Sequence, residues 1–360
     1  DTGFMRKEES KNVAKALKAI GLKHFKLVNA RKMFHTALRG VVEPEKKRKI
    51  IGDLFIKIVD KEIKKLKLKN PFLVQGTLRP DLIESASSLV TSTASTIKTH
   101  HNDTKLVREK RKKGLVIEPN KDLHKDEVRV IGRKLGLPAA LVERQPFPGP
   151  GLAVRILCTR EPYLKEFETV NKRLQQFVGK FDLKAQLLPV LSVGVQGDSR
   201  TYKYTACLSG LGERRRLKKA AMEIPKHIHE INRVVYVFEH DLTEPVLDVI
   251  PTTLTDKPVR LLQEADAIGT ALLGKYKLVT KIAQMPVVLL PVSLNGSRDY
   301  SVVLRPFITN DFMTGRAAVF GNDIPIACLR EMVHGIRSVD GIGHVLYDLT
   351  SKPPGTTEWE

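Results

Sequence analysis

Cysteine is scarce in this sequence. Cys158, Cys207 and Cys328 stand alone, with no C-x-x-C pair and no metal-ligand spacing. That scatter argues against a thiolate metal site and predicts a reducing compartment, the cytosol. Long apolar runs are lacking as well, and the opening DTGFMRKEES has no signal-peptide core, so no membrane partner is expected. Glycine-rich phosphate cradles are missing: Ser209-Gly-Leu-Gly212 has neither a strand before it nor a lysine after it. Acid is under-represented, with 40 Asp and Glu against 61 Lys and Arg, a net charge of +21. Such an imbalance implies anionic partners: phosphorylated small molecules, nucleic acid or acidic lipid. The lysines do not form a tail. They accompany an apolar stripe over Glu45–Lys69, a pattern that predicts a solvated helix face.

What is present is organised around Arg144–Arg155, RQPFPGPGLAVR, where three prolines alternate with Phe147, Gly149 and Gly151. No helix or central strand can pass through such a stretch, which has the composition of a linker. Before it, apolar spacing predicts helices over Lys7–Ile20, Ala30–Arg39, Pro44–Leu68 and Lys125–Leu135. Short strands are predicted at Phe25–Asn29, Phe72–Gln75 and Val116–Glu118. Strands alternating with helices predict a mostly parallel sheet covered on both faces. After the stretch the plan nearly repeats. Each copy has two strands around a polar turn, then a helix, then a V-x-Y strand running into L-T-x-x-P. This predicts a duplicated β-β-α-β unit, antiparallel sheets with helices on one face, and free faces suited to dimerisation.

Chemistry-bearing residues gather in a few strings. Gln75–Ser85, QGTLRPDLIES, runs a strand into Gly76-Thr77 and then into Asp81 and Glu84, the way open α/β sheets place polar groups at strand carboxyl ends. A turn followed by a capped helix would look the same. Lys98-Thr99-His100-His101 concentrates a cation and two imidazoles, with no acid or thiol at metal spacing. Lys125 either reaches phosphates or simply opens a helix capped by Asp122.

Taken in order, the strings GFMR (Gly3–Arg6), EKKRKIIG (Glu45–Gly52), QGTLRPDLIES, KTHHND (Lys98–Asp103), HKDEVR (His124–Arg129), PFPGPGLAVR (Pro146–Arg155), VGVQGD (Val193–Asp198), QMPV (Gln284–Val287) and YDLTSKPPGTTEWE (Tyr347–Glu360) are more specific than any one alone. The chain resembles, from end to end, the synthetase portion of the GMP synthetase family, and its closing strings look metazoan-like. The resemblance implies an α/β then α+β fold. Residues 1–145 would be an N-terminally truncated ATP-pyrophosphatase domain. Residues 146–360 would be a dimerisation domain of two repeats, about 152–250 and 280–360. It implies a ligase that uses ATP and Mg2+ to aminate xanthosine 5′-monophosphate (XMP) to GMP, as a homodimer, with ammonia delivered by a glutaminase domain. By matched strings it assigns XMP contacts to Arg6, Asp198, Gln284, Lys352 and Glu358. ATP contacts fall to Gly76, Thr77 and Lys125, catalytic roles to Lys125 and Asp81, and a lid to Lys98, Thr99, His100 and His101, with no protein metal site.

The sequence departs from that family in three ways. The S-G-G-x-D-S pyrophosphate loop expected just before Asp1 is not in it, nor is a glutaminase domain, and the Cys158–Gln186 linker is short. A fragment or truncated relative is therefore expected, one that binds XMP without making GMP even when ammonia is supplied, and whose terminal string is ordered. The alternative is an inactive relative that serves as a nucleotide-, nucleic-acid- or protein-binding module.

Overall fold

The computed structural model describes residues 1–67, 71–79, 105–196, 199–210, 213–238, 241–242, 244–294, 296–309 and 314–360. Along the chain these form α1 (Glu9–Ala19), α2 (Arg31–Leu38), α3 (Pro44–Lys65), β1 (Leu73–Val74), α4 (Lys105–Lys112), β2 (Val116–Ile117), α5 (Lys125–Lys134) and α6 (Ala139–Val142). Then come α7 (Phe167–Gly179), β3 (Lys184–Gln196), β4 (Ser199–Ser209), α8 (Arg214–His227), β5 (Ile231–Val237) and α9 (Asp256–Lys275). The chain closes with β6 (Val287–Leu290), β7 (Tyr300–Leu304), β8 (Phe307–Ile308), β9 (Arg316–Ala317), α10 (Ile326–Arg337) and β10 (Ile342–Asp348). The residues pack as two compact units. One gathers Asp1–Lys15, His24–Lys47 and Gln145–Glu360, and the other Ala16–Lys23 and Arg48–Arg144.

The larger unit is built on a six-stranded sheet in the order β3-β4-β5-β10-β7-β6. Several of its strands are runs of valine and leucine buried on both faces, such as VVLL in the edge strand β6 and YSVVL in β7 beside it. β3 and β4 form an antiparallel hairpin, and so do β6 and β7. β5 instead lies parallel to β4, and β10 parallel to β7. The all-antiparallel expectation is thereby corrected. A helix between the paired strands, α8 in one half and α10 in the other, carries the chain back to its starting end, so the returning strand runs parallel. The two halves meet at the sheet's centre, where β5 and β10 pair antiparallel. The architecture is mixed α/β.

Among the described residues both faces of the sheet are covered. Leu188, Val190, Cys207, Val235, Val237, Val288, Leu290, Val303 and Leu346 pack beneath Leu157, Leu242, Val246, Val249 and Trp359. On the opposite side Val287, one residue out of phase with Val288, lies under α9, where a Cβ added at Gly269 would come within 3.6 Å of it.

The Pro/Gly stretch begins at the boundary between the two units, after Arg144, and its second half belongs to the core of the larger unit. Gly151–Val154 form a short 3₁₀ turn whose four residues are all buried. Gly151 has φ +68, and a Cβ there would sit 2.3 Å from the Phe4 carbonyl oxygen. That closeness lets the Leu152 N–H donate to Phe4 O at 2.7 Å. Only glycine serves at such a left-handed, crowded position. The helix of lysines is exposed as expected at Lys46, Lys49, Lys57, Lys61, Lys64 and Lys65, with one exception: Lys47 is fully buried and donates to the Ile156 carbonyl at 3.0 Å.

In the smaller unit β1 and β2 pair in parallel, Leu73 with Val116 and Val74 with Ile117. Among the described residues no wider sheet forms there. The apolar stripe of α3 finds correspondingly little cover, and Phe55, Val59 and Leu66 remain exposed. The strand expected at Phe25–Asn29 is absent. Extended backbone nearby makes only two bonds with Asp1, from the Asp1 amine to Val28 O and from Ala30 N–H to Asp1 O.

Candidate functional site

At the carboxyl end of β1 the chain passes through Gly76 into Thr77, which is buried and donates from Oγ1 to the Glu118 carboxylate at 2.7 Å. Glu118 follows β2 directly and is also held by Arg111 of α4 at 2.8 Å. The Arg111 hydrogen bond holds its pKa below the usual carboxylate value, with burial opposing and Thr77 assisting. The next turn is tied in by the Arg79 N–H donating to Leu123 O at 3.1 Å. Lys125 begins α5 two residues later. The residue that precedes α5 is His124, not Asp122, and its N–H donates to the Glu127 carboxylate at 2.7 Å. A carboxylate three residues on satisfies an N–H that the helix leaves without a partner. Burial draws the Lys125 ammonium down to about 8, Arg129 adds to the effect, and Asp126 opposes it. The smaller unit thus collects Gly76, Thr77 and the opening of α5 at one strand end.

The larger unit holds an open ring of alternating charge that runs Glu358, Arg155, Asp266, Arg6. Arg155, fully buried, donates through Nε and Nη2 to both oxygens of Glu358 at 2.8 and 2.9 Å. Its Nη1 lies 3.7 Å from the buried Asp266. Asp266 in turn lies 3.3 Å from Arg6 Nε. Both guanidinium groups stand over the Phe147 ring, Arg6 at 4.6 Å and Arg155 at 5.3 Å. Arg6 Nε and Arg155 Nη1 are buried and make no hydrogen bond, so the contacts to Asp266 are ion pairs only.

Burial lifts Asp266 above the ordinary carboxylate range against the pull of Arg6 and Arg155, and burial likewise lowers Arg6. Both shifts run toward neutrality, because the attraction only partly offsets the loss of water. Arg155 goes the other way. Burial pulls it down, but the Glu358 charge and hydrogen bonds outweigh this and raise it.

The terminal string is fastened across the sheet. Asp348, fully buried, receives Arg305 at 2.7 Å, Arg233 at 3.0 Å and the Trp359 indole N–H at 3.0 Å. Arg233 and Arg305 both donate to the Thr356 carbonyl, and Arg233 also reaches Glu358 O at 2.6 Å. Glu360 pairs with the buried Lys47 at 2.5 Å. The order expected of this tail is therefore present, with Trp359 fully buried.

Gln284 is buried, and its amide donates to Pro146 O at 3.0 Å, beside Phe147. Lys352 exchanges backbone bonds with Gly315. Of the residues singled out in the sequence, the structure joins Arg6 and Glu358 in one ring and brings Gln284 next to it. Asp81, Lys98, Thr99, His100, His101 and Asp198 lie outside the described residues. Among the described residues no three His, Cys, Asp or Glu side chains converge on a point that could hold a metal ion.

Residues 272–359 match the family model described as GMP synthase C terminal domain. A GMP synthase of Dictyostelium discoideum is 44% identical to all of this chain, which spans 58% of that relative. A probable GMP synthase of Caenorhabditis elegans is 43% identical over the whole chain and 59% of its own length. The Leptospira interrogans counterpart is 37% identical over the whole chain and 58% of its length. Over its whole length the chain is similar to GMP synthases. It spans somewhat under two thirds of the curated relatives it matches.

Within the GMP synthase frame, Gln284, Arg305, Asp348, Lys352 and Glu358 fall inside the matched C-terminal domain, whereas Arg6, Lys125 and Arg155 fall only in the full-length alignments. Reasoning from sequence passed over Arg155, Asp266, Arg233, Arg305 and Asp348 as buried, paired charges. The signal was available for four of them: a lone charge inside or directly after an apolar run, as in LAVR, INRVVYV, YSVVLR and HVLYD. Such charges are buried only when paired. Asp266 sits on a helix among other polar residues and carried no such mark.

Proposed function

We propose that this chain is part of a GMP synthase, the enzyme in which the C2 oxygen of XMP attacks the α-phosphate of ATP with loss of pyrophosphate, and ammonia then displaces AMP to leave GMP. The observation that supports it is the match of all 360 residues to GMP synthases at 37–44% identity. A purine C2 oxygen is a poor leaving group, and adenylylation turns it into a phosphate ester that ammonia can displace. The proton released by the amine leaves with solvent or buffer.

In this reading the smaller unit takes ATP through Gly76, Thr77 and Lys125, as part of an ATP-pyrophosphatase fold, with Asp81 and the 98–101 lid completing it. The larger unit, a duplicated dimerisation domain, takes XMP through Arg6, Asp198, Gln284, Lys352 and Glu358. The ammonium of Lys125 neutralises phosphate, and the Glu358 carboxylate suits the N–H groups or sugar hydroxyls of XMP. Mg2+ would supply further charge neutralisation on the phosphates. The described residues build no cage for it, so no step is assigned through the ion. A homodimer in the cytosol, fed with ammonia by a glutaminase partner, completes the proposal.

The test is calorimetric titration of the chain with XMP, with GMP and with a single-stranded RNA at matched ionic strength. Saturable XMP binding that withstands 200 mM salt is expected. RNA binding that collapses with salt, with no XMP binding, would establish the competing reading of the basic surface.

A further inference from the structure

Resting on that reading, we propose that Arg155 is a positioning residue of the XMP site, holding Glu358 and Arg6 at fixed spacing for the nucleotide. The side chain is fully buried and cannot meet a ligand itself. The groups it organises can: Glu358 keeps 18% of its side-chain surface and Arg6 16%, while Asp266 between them keeps 2%. The ring therefore has two buried members and two exposed ends of opposite sign.

The two outer members of the network, Glu358 and Arg6, are both reachable from solvent. Glutamate has three rotatable bonds and, unpaired, would sample several orientations. The parallel bonds from Arg155 Nε and Nη2 fix its plane as well as its position. Phe147 sets the second dimension, because both guanidinium groups pack on the same ring. Arg6 is thus spaced from Glu358 through Phe147 and Asp266, and not by a contact of its own. Holding both ends before the ligand arrives spares the ordering entropy that binding would otherwise have to overcome.

The experiment is a double-substitution cycle on the full chain, reading XMP dissociation constant and thermal midpoint together for Arg155→Lys, Glu358→Gln and both. Lysine keeps the buried charge but offers one nitrogen in place of the fork. Arg155→Lys is expected to weaken XMP binding about tenfold. In the Glu358→Gln background the same change is expected to add less than about twofold, because the carboxylate it orients is gone.

Arg155→Lys that folds and binds XMP as the unsubstituted chain does overturns the inference, and so do effects that simply multiply. If Arg155→Lys does not fold, Asp266→Asn breaks the ring at its other buried member with no change of shape. About tenfold weaker XMP binding there supports the ring, and unchanged binding overturns it. Failure of the unsubstituted chain to bind XMP is a different result, which removes the proposed function and this inference with it.

Discussion

At the scale of single residues, the largest electrostatic stake is Asp348. Burial alone would raise its carboxyl, yet Arg305 and Arg233, then Thr350, hold it below the ordinary carboxylate value. Its contribution is therefore present above the unfolded pKa and is lost as pH falls through the folded one. Asp348→Asn leaves two buried guanidinium groups without their counter-ion and is expected to cost about 3–5 kcal/mol in urea unfolding. A loss under about 1 kcal/mol would show that the arginines find other acceptors.

Lys125 offers the complementary test in solution. Its amine is pulled down to about 8 in the folded chain from 10.5, so folding gains stability as pH rises between those values. Phosphate binding runs the other way, because only the protonated amine attracts it. ATP affinity is expected to fall between pH 7.5 and 9, and Lys125→Arg is expected to flatten that profile. A flat profile in the unsubstituted chain would remove Lys125 from the phosphates. The thiols are not expected to complicate such work: burial pushes Cys158 and Cys328 up to about 11 and Cys207 higher still.

At the scale of elements, the Gly151–Val154 turn shows what residue patterns do and do not convey. The alternation of proline and glycine correctly forbids helix and central strand there. It does not reveal that Gly151 presses against the Phe4 carbonyl, a neighbour 147 positions away in sequence. Gly151→Ala places a methyl in that contact at φ +68 and is expected to cost about 2–4 kcal/mol, read as a lowered thermal midpoint with reduced XMP binding. An unchanged midpoint would mean the loop after Phe4 gives way freely.

Helices were legible wherever their own periodicity marks them: α1, α2, α3 and α5 fall within a few residues of expectation. Strand direction was not, because parallel or antiparallel pairing is decided by which end of the sheet a crossover helix returns to. Site strings were legible as strings, but the link through Arg155 and Asp266 depends on residues 111 apart meeting in space. The burial of Lys47 was hidden because its partner, Glu360, lies 313 positions away.

At the scale of the molecule, protection against hydrogen exchange is expected to be uneven. Residues of β5 and β10 are almost all buried and pair on both sides, whereas β1 and β2 are two residues long with exposed Val74 and Ile117. Amides of β5 and β10 are expected to exchange slowest and those of β1 and β2 orders of magnitude faster. Equal protection in both sheets would refute this ranking.

The central pairing of β5 with β10 also sets a schedule for the chain during its synthesis. The hairpin β3–β4 and strand β5 can assemble once residue 237 has left the ribosome, but β5 then waits, one edge unpaired, for a partner more than a hundred residues further on. Arg233 and Arg305 wait with it, since Asp348 arrives only at the end of β10. A half-made sheet with an open apolar edge is what chaperones recognise and what other nascent chains can add to. Premature termination even slightly before residue 348 would leave that edge permanently open, so messages cut short there are expected to yield aggregated protein and not a slightly shorter working one.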